Sequence, residues 1–248
     1  MNIETILPQV IDLARNAGLA IMERYRTEGT VYQKQDNSPV TEADRVADRI
    51  IVEGLKKITP DFPIVSEEGS KPDVSKSRYF WLVDPLDGTK SFIRGNGYFT
   101  VNIALVEGKD NPILGVIYEP VNQLMYYGSI KGAFKEAGGH VTPIRTKLKD
   151  APEVAFVSHS HLNQATQDYL MQHRISVRVP CASSIKFCFL AEGKADVYPR
   201  FGPTMEWDIA AGHAILTAAG GKVVTPEGKP FQYGKEGFLN GNFLAIGN

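Results

Sequence analysis

Apolar side chains recur along residues 3–25 at Ile3, Ile6, Leu7, Val10, Ile11, Ala14, Ala17, Ile21 and Tyr25. Steps of three and four put them on one helical face, so the chain is predicted to open with an amphipathic helix. A loop follows to Pro39. Thr41-Glu42-Ala43-Asp44 then has the form of a capping box with Asp in place of Glu. Val46, Ile50, Leu55 and Ile58 supply the apolar stripe of a second helix, and Pro60 ends it.

After Pro63 the period changes. Ile64-Val65 is short and β-like. Residues 79–83, YFWLV, form a continuous apolar run ending at Asp84, the pattern of a strand buried on both faces. Residues 99–106 and 113–118 read as two strands joined by a turn over 108–112, and 124–127 as a third. This first half is predicted to be α+β with antiparallel pairing. The polar, glycine-rich and then basic stretch from Gly138 to Pro152 is where a domain boundary is expected, giving domains 1–150 and 151–248. Beyond it the elements alternate. Strands are predicted at 154–157, 176–179, 196–198 and 222–224, and helices at 163–173, 184–192 and 207–219. Gly220-Gly221 provides a stop for the last helix. Alternation of this kind favours a layered α/β arrangement.

Length and composition agree. A chain of 248 residues suits one large domain or two small ones, and 43% hydrophobic with 22% charged residues is ordinary for a globular protein. No apolar run approaches the roughly 18–20 residues of a membrane span. The N-terminus carries acids early and lacks a basic-then-apolar leader, so no signal peptide is expected. Lys and Arg total 27 against 28 acids, a net charge of −1, and they are scattered. That argues against nucleic-acid binding, which relies on a basic face. Cys181 and Cys188 fit neither a disulfide framework nor a zinc site, and the cytoplasm is the natural setting. Cys188, within the run FCFLA, reads as a small core residue.

The most informative segment is Asp84-Pro85-Leu86-Asp87-Gly88-Thr89. A buried strand delivers Asp84 at its end, and Pro85 and Gly88 are expected to force a turn that brings Asp87 beside it. Two close carboxylates repel unless a cation sits between them. Oxygen-only ligands suit a hard ion, magnesium above all. The same turn offers the amides of Gly88 and Thr89, and the Thr89 hydroxyl, to a phosphate oxygen. The sequence is also ordinary turn chemistry, with Asp-Gly favouring positive φ. Ser66-Glu67-Glu68-Gly69 places paired acids after a short strand, as a solvated loop would also do. Glu206-Trp207-Asp208 opens an apolar helix, where Asp208 has the alternative task of complementing the helix dipole. Asp44 likewise has the alternative of a simple cap.

Together, DNSPVTEAD (36–44), SEEG (66–69), WLVDPLDGTKSF (81–92) and WDIAAGH (207–213) resemble the inositol monophosphatase superfamily of lithium-sensitive, magnesium-dependent phosphatases. Within it the chain is most similar to the bacterial 3′(2′),5′-bisphosphate nucleotidase branch. NSPVTEAD, DGTKSFI with NGYFTVNIALVEG, the run SSIKFCFLAEGKADVYPRFGPTMEWD and the SHSH stretch at 158–161 carry that likeness. The resemblance implies a layered αβαβα sugar-phosphatase fold. It implies that Glu67, Asp84 and the Leu86 carbonyl hold one metal ion. Asp84, Asp87 and Asp208 would hold a second, and a third, looser ion would lean on Glu67, for two or three Mg²⁺ in all. Thr89 with Asp44 behind it would orient and deprotonate the attacking water, with Glu67 counted among the catalytic groups. The turn Leu86, Asp87, Gly88, Thr89, together with Asp208, would cradle the phosphate. Glu68 is the less secure acid of its pair.

Substrate choice is then expected from the second half. Ser158, His161 and Lys186 match positions that in the nucleotidase branch contact ribose, base and second phosphate; Arg200 and Lys194 are further cations without an assigned role. His161 has a plain reading as a surface loop residue, and Lys186 as a solvated helix residue. Pro180-Cys181-Ala182-Ser183 departs from the glycine-rich residues of related enzymes, which leaves the adenine contacts unassigned. The implied reaction is hydrolysis of adenosine 3′,5′-bisphosphate to AMP and phosphate, with 3′-phosphoadenylyl sulfate as a related substrate in sulfate assimilation. The alternatives are an inositol monophosphatase or broad sugar phosphatase, or a non-catalytic nucleotide or magnesium sensor. The partner is a small-molecule nucleotide. Any membrane attachment is expected to be peripheral, on the cytoplasmic side of the inner membrane. Relatives of this kind include monomers and dimers.

Overall fold

The computed structural model describes residues 2–26, 31–33, 39–147, 152–158 and 163–247. Helices α1 (Ile3–Met22) and α2 (Glu42–Ile58) flank a short hairpin of β1 (Val31–Gln33), which is exposed, and β2 (Pro39–Thr41), which is buried at Val40 and Thr41. This hairpin lies in a stretch whose pattern predicts only a loop. Asn2 caps α1 by accepting from Glu4 N, and Thr41 caps α2 within the expected capping box.

Strands β3 (Ile64–Ser66), β4 (Tyr79–Asp87), β5 (Thr100–Glu107), β6 (Asn111–Glu119), β7 (Leu124–Ser129), β8 (Gly132–Ala137) and β9 (His140–Ile144) form a seven-stranded sheet in that order. The β3–β4 pair is parallel and the others are antiparallel. A short helix α3 (Thr89–Ile93) follows β4. The apolar run of β4 is buried on both faces as its pattern predicts. Trp81 and Val83 meet α1 and α2, while Phe80 and Leu82 face the opposite core. The stretch Gly138–Gly139 is a hairpin turn within this sheet, between β8 and β9.

The second sheet holds β10 (Val154–Ser158), β11 (Val177–Cys181), β12 (Val197–Arg200), β13 (Lys222–Val224) and β14 (Phe243–Ile246), in the order β11-β10-β12-β14-β13. The strands β10, β11 and β12 are mutually parallel, and β14 runs antiparallel to both of its neighbours. Helices α5 (Ile185–Ala191) and α6 (Glu206–Ala218) lie between the sheets, and α4 (Gln164–Gln172) covers the outer face of the second. The layers are therefore α1/α2, sheet, α5/α6, sheet, α4: the αβαβα stack the resemblance implies. The change of sheet falls between Ile144 and Val154. Helix α6 nonetheless shares one core with Phe80, Leu82, Ile117 and Tyr126 of the first sheet. A Cβ on Gly115 of β6 would stand 2.3 Å from the Ala211 carbonyl oxygen. Only a bare backbone there lets α6 lie this close and bring Asp208 to the end of β4. No helix among the described residues is long and apolar enough to cross a membrane.

Candidate metal and phosphate site

Strand β4 does not stop at Asp84. Pairing with β5 matches Asp84 to Asn102 and Asp87 to Thr100, with a register shift between them. The expected turn at Pro85 is a bulge, which also relieves Pro85 of the ladder bond it cannot make. The chain turns three residues later, at Gly88, whose φ is +104° and where a Cβ would meet the Tyr98 carbonyl oxygen at 2.7 Å. Asp84 is buried and accepts from Leu86 N at 3.1 Å, which fixes its carboxylate at the bulge.

Three elements bring acids to this point. Glu67, at the end of β3, is held by its amide on Val83 O at 3.1 Å. Asp208, in the first turn of α6, accepts from Met205 N at 2.8 Å and so caps the helix as well. One carboxylate oxygen from each of Glu67, Asp84 and Asp208 lies within 4.8 Å of the others. Burial, and then the negative neighbours Glu67, Asp87 and Asp208, drive the Asp84 carboxyl well above the usual carboxylate range. Burial, followed by Asp87, does the same to Asp208. Asp87 is also raised by burial, offset by the Lys186 charge and by the Ser184 amide, which donates to Oδ2 at 2.5 Å. A donor set of carboxylate oxygens held at mutual repulsion fits a hard divalent cation. Glu68 does not join the group; it lines a separate groove on the α2 surface with Arg45, Asp48 and Arg49.

Asp44 carries two tasks with its two oxygens. Oδ2 accepts from Thr41 N at 2.7 Å and from Thr41 Oγ1 at 2.6 Å, the capping box. Oδ1 accepts from Thr89 Oγ1 at 2.9 Å. The cap and the Thr89 partnership, alternatives in the sequence, coexist in one buried carboxylate, which burial pushes above its ordinary pKa. Thr89 Oγ1 also stands 3.4 Å from the Leu86 carbonyl.

The substrate-facing expectations divide. Lys186 is buried and donates to the carbonyls of Cys181 and Ser183, with its ammonium 5.0 Å above the Tyr198 ring. It lines a cleft of about 260 Å³ together with Asp87, Gly88, Lys90, Arg200 and Asp208. Arg200 donates to Pro203 O at 3.0 Å, and its buried Nε has no hydrogen-bond partner. Lys194 lies elsewhere, paired with Glu192 at 3.1 Å. His161 lies outside the described residues, as does the side chain of Ser158. Cys188 is fully buried in α5, the core position its context predicts. Ser184 opens α5, where the sequence offers the amides of residues 183–186 to a second phosphate; its bond to Asp87 is the contact that sequence reasoning missed. Its hydroxyl bonds Asn102 Oδ1 at 2.7 Å and Thr100 at 2.8 Å while its amide holds Asp87. The only signal was its place before α5; its partners lie more than eighty residues away.

A five-layer fold with buried carboxylates and a Thr–Asp pair at one strand end defines a metal-dependent phosphatase scaffold. Residues 2–246 match the inositol monophosphatase family, and the chain belongs to it. It is 48% identical over 244 residues to the 3′(2′),5′-bisphosphate nucleotidase CysQ of Salmonella typhimurium, covering 96% of this chain and 98% of that protein. The Escherichia coli K12 protein of the same name is likewise 48% identical, with 96% and 98% covered. The solved structure of CysQ from Bacteroides thetaiotaomicron superposes with a TM-score of 0.86 at 40% identity, over 98% of this chain and 97% of that one.

Proposed function

We propose that the protein is a magnesium-dependent 3′(2′),5′-bisphosphate nucleotidase that hydrolyses adenosine 3′,5′-bisphosphate to AMP and phosphate. The observation that carries this reading is one cleft lined by both signs of charge. Asp87 and Asp208 line it together with the buried Lys186 and with Arg200. A sugar monophosphate has no use for cations beyond the acid cluster; a bisphosphate does. A larger cavity of about 490 Å³, walled by Tyr98, Phe156 and Phe189, meets the cleft at Ala182 and offers aromatic surface to a base. Identity of 48% to proteins named for this activity supports the same conclusion.

In this reading Glu67, Asp84 and the Leu86 carbonyl would hold one ion, and Asp84, Asp87 and Asp208 another, with a third leaning on Glu67. Two or three magnesium ions there would neutralise the acids and the phosphate, acidify bound water and steady the leaving oxygen. The protein's own groups do the rest. Thr89 donates its proton to Asp44, so its lone pairs are free to accept one from the attacking water, and Asp44 receives the relayed proton. Burial makes Asp44 a stronger base than a surface carboxylate. The turn Leu86–Thr89 holds the phosphate in line for displacement of the ribose oxygen. Ser158 and His161 remain the proposed ribose and base contacts. Release of the 3′-phosphate of 3′-phosphoadenylyl sulfate, a role in sulfate assimilation and inhibition by lithium belong to the same reading. Two free thiols, Cys181 and Cys188, support a reducing cytoplasmic setting.

The test compares phosphate release from adenosine 3′,5′-bisphosphate and inositol 1-phosphate, with magnesium and with a chelator. The expected result is chelator-sensitive release, with kcat/KM at least about tenfold higher for the bisphosphate, the discrimination one charged contact provides. Preference for inositol 1-phosphate would make the protein a sugar phosphatase. Binding of the bisphosphate without turnover would make it a sensor.

A further inference from the structure

Asp48 lies one helical turn beyond Asp44 on α2, the spacing that puts two side chains on one face of a helix. Asp44 reaches Thr89. Asp48 reaches the end of β3, where its Oδ1 accepts a hydrogen bond from the Ser66 hydroxyl. A Cβ placed on Gly69 would stand 3.5 Å from Asp48 Oδ2 and 3.6 Å from Oδ1, so the carboxylate is packed against the loop itself. Ser66 is 1% exposed and immediately precedes Glu67. The backbone bonds of this loop include two at 3.3 Å, Ser66 N to Ser70 O and Gly69 N to Ser66 O, long for N–H···O contacts.

We propose that Asp48 is a positioning residue for Glu67: through Ser66 it fastens the Glu67 loop to α2, the same rigid helix that holds the Thr89–Asp44 pair. One helix face then sets the distance between the group that activates water and the carboxylate that holds the ion. The proposal rests on the reading of Glu67 as a metal ligand. Without Asp48 the Ser66 hydroxyl is buried and lacks this acceptor, the loop must shift to solvate it, and Glu67 moves with the loop. Partners that orient a metal ligand are each worth about 10–100-fold in metal affinity.

The experiment titrates Mn²⁺ into the full chain without substrate and follows free Mn²⁺ by electron paramagnetic resonance. Asp48→Ala and Ser66→Ala should each raise the Mn²⁺ Kd by about tenfold. The double variant should be no worse than either single, since both remove one interaction. Asp48→Asn keeps an acceptor oxygen for the Ser66 proton and should stay within about twofold of the unmodified protein. Saturating Mn²⁺ should restore turnover to both alanine variants. Ser66→Ala removes a single oxygen, so it carries the test if Asp48→Ala fails to fold. An unchanged Kd in a folded alanine variant, or additive effects in the double, would overturn the proposal. Failure of the unmodified protein to bind Mn²⁺ would instead overturn the metal-site reading beneath it.

Discussion

Replacing Asp84 by Asn removes one charge from the acid cluster while keeping Oδ1 as an acceptor for the Leu86 amide. In the metal-free protein this should stabilise the fold. Two unit charges 4.8 Å apart repel by about 3.5 kcal/mol at an effective dielectric of about 20. Asp84 faces Glu67 and Asp208 at such range, with Asp87 adding to the repulsion. Protonation sets a ceiling on this cost. Starting from the ordinary carboxyl value of 3.8, holding one proton at pH 7.5 costs at most about 5 kcal/mol. Allowing for burial of the amide, the variant should gain about 2–5 kcal/mol, or about 5–15 °C in melting temperature for a chain of this size. The sign with pH is fixed. The Asp84 pKa is higher in the folded state than in the unfolded one. The folded state therefore binds more protons, and metal-free stability falls as pH rises from 3.8 towards the folded-state value, by up to about 1.4 kcal/mol per unit. The advantage of Asp84→Asn should grow over the same window. Thermal melts in chelator at pH 5, 6, 7 and 8, with and without magnesium, read all of this. Magnesium at about 100 times its Kd should stabilise the unmodified protein by about 2.7 kcal/mol and the variant far less. A variant no more stable than the parent in chelator, with an undiminished magnesium response, would refute the reasoning.

Thr89→Val should lower kcat by about 10²–10⁴-fold with little change in KM, while Thr89→Ser, which keeps the hydroxyl, should retain most activity; steady-state phosphate release reads both. Lys186→Met should reduce kcat/KM for adenosine 3′,5′-bisphosphate by about 10–100-fold, the worth of a charged hydrogen bond, and that for a sugar monophosphate much less. His213 is buried, bonded through Nδ1 to Tyr233 Oη at 2.8 Å, and burial pushes its pKa down to about 3. The unfolded chain takes up that proton first, so stability falls as pH drops below 6.5, by about 2 kcal/mol at pH 5, and His213→Gln should flatten this slope in denaturant titrations. The Glu206 carboxylate is fully buried and accepts from Gly234 N at 2.7 Å and Lys235 N at 2.9 Å. Glu206→Ala should cost about 2–4 kcal/mol in urea unfolding by stranding those amides.

The parts of the fold legible in the sequence were those whose burial leaves a period. The two-faced run of β4 and the apolar stripes of α1 and α2 are of this kind. Strands whose side chains face solvent leave none: β1 is exposed throughout, and β9 is exposed except at Ile144. Gly138-Gly139 therefore read as a boundary although Gly-Gly is also a hairpin signature. Pro85 read as a turn because proline breaks a ladder, yet a bulge accommodates it. Strand β14 lay hidden because it enters the sheet from the end of the chain, antiparallel to both neighbours. In the site, acids announced themselves by type and spacing. Ser184 and Asp48 did not, because their partners Asp87 and Ser66 become neighbours only when the sheet and helices assemble.

The most direct measurement is a crystal grown with Mn²⁺ in place of magnesium, read by anomalous scattering. The account predicts a peak bonded to Glu67, Asp84 and the Leu86 carbonyl, and a second bonded to Asp84, Asp87 and Asp208 in the presence of product phosphate. Diffraction showing these carboxylates splayed, with manganese bound at other residues, would contradict it.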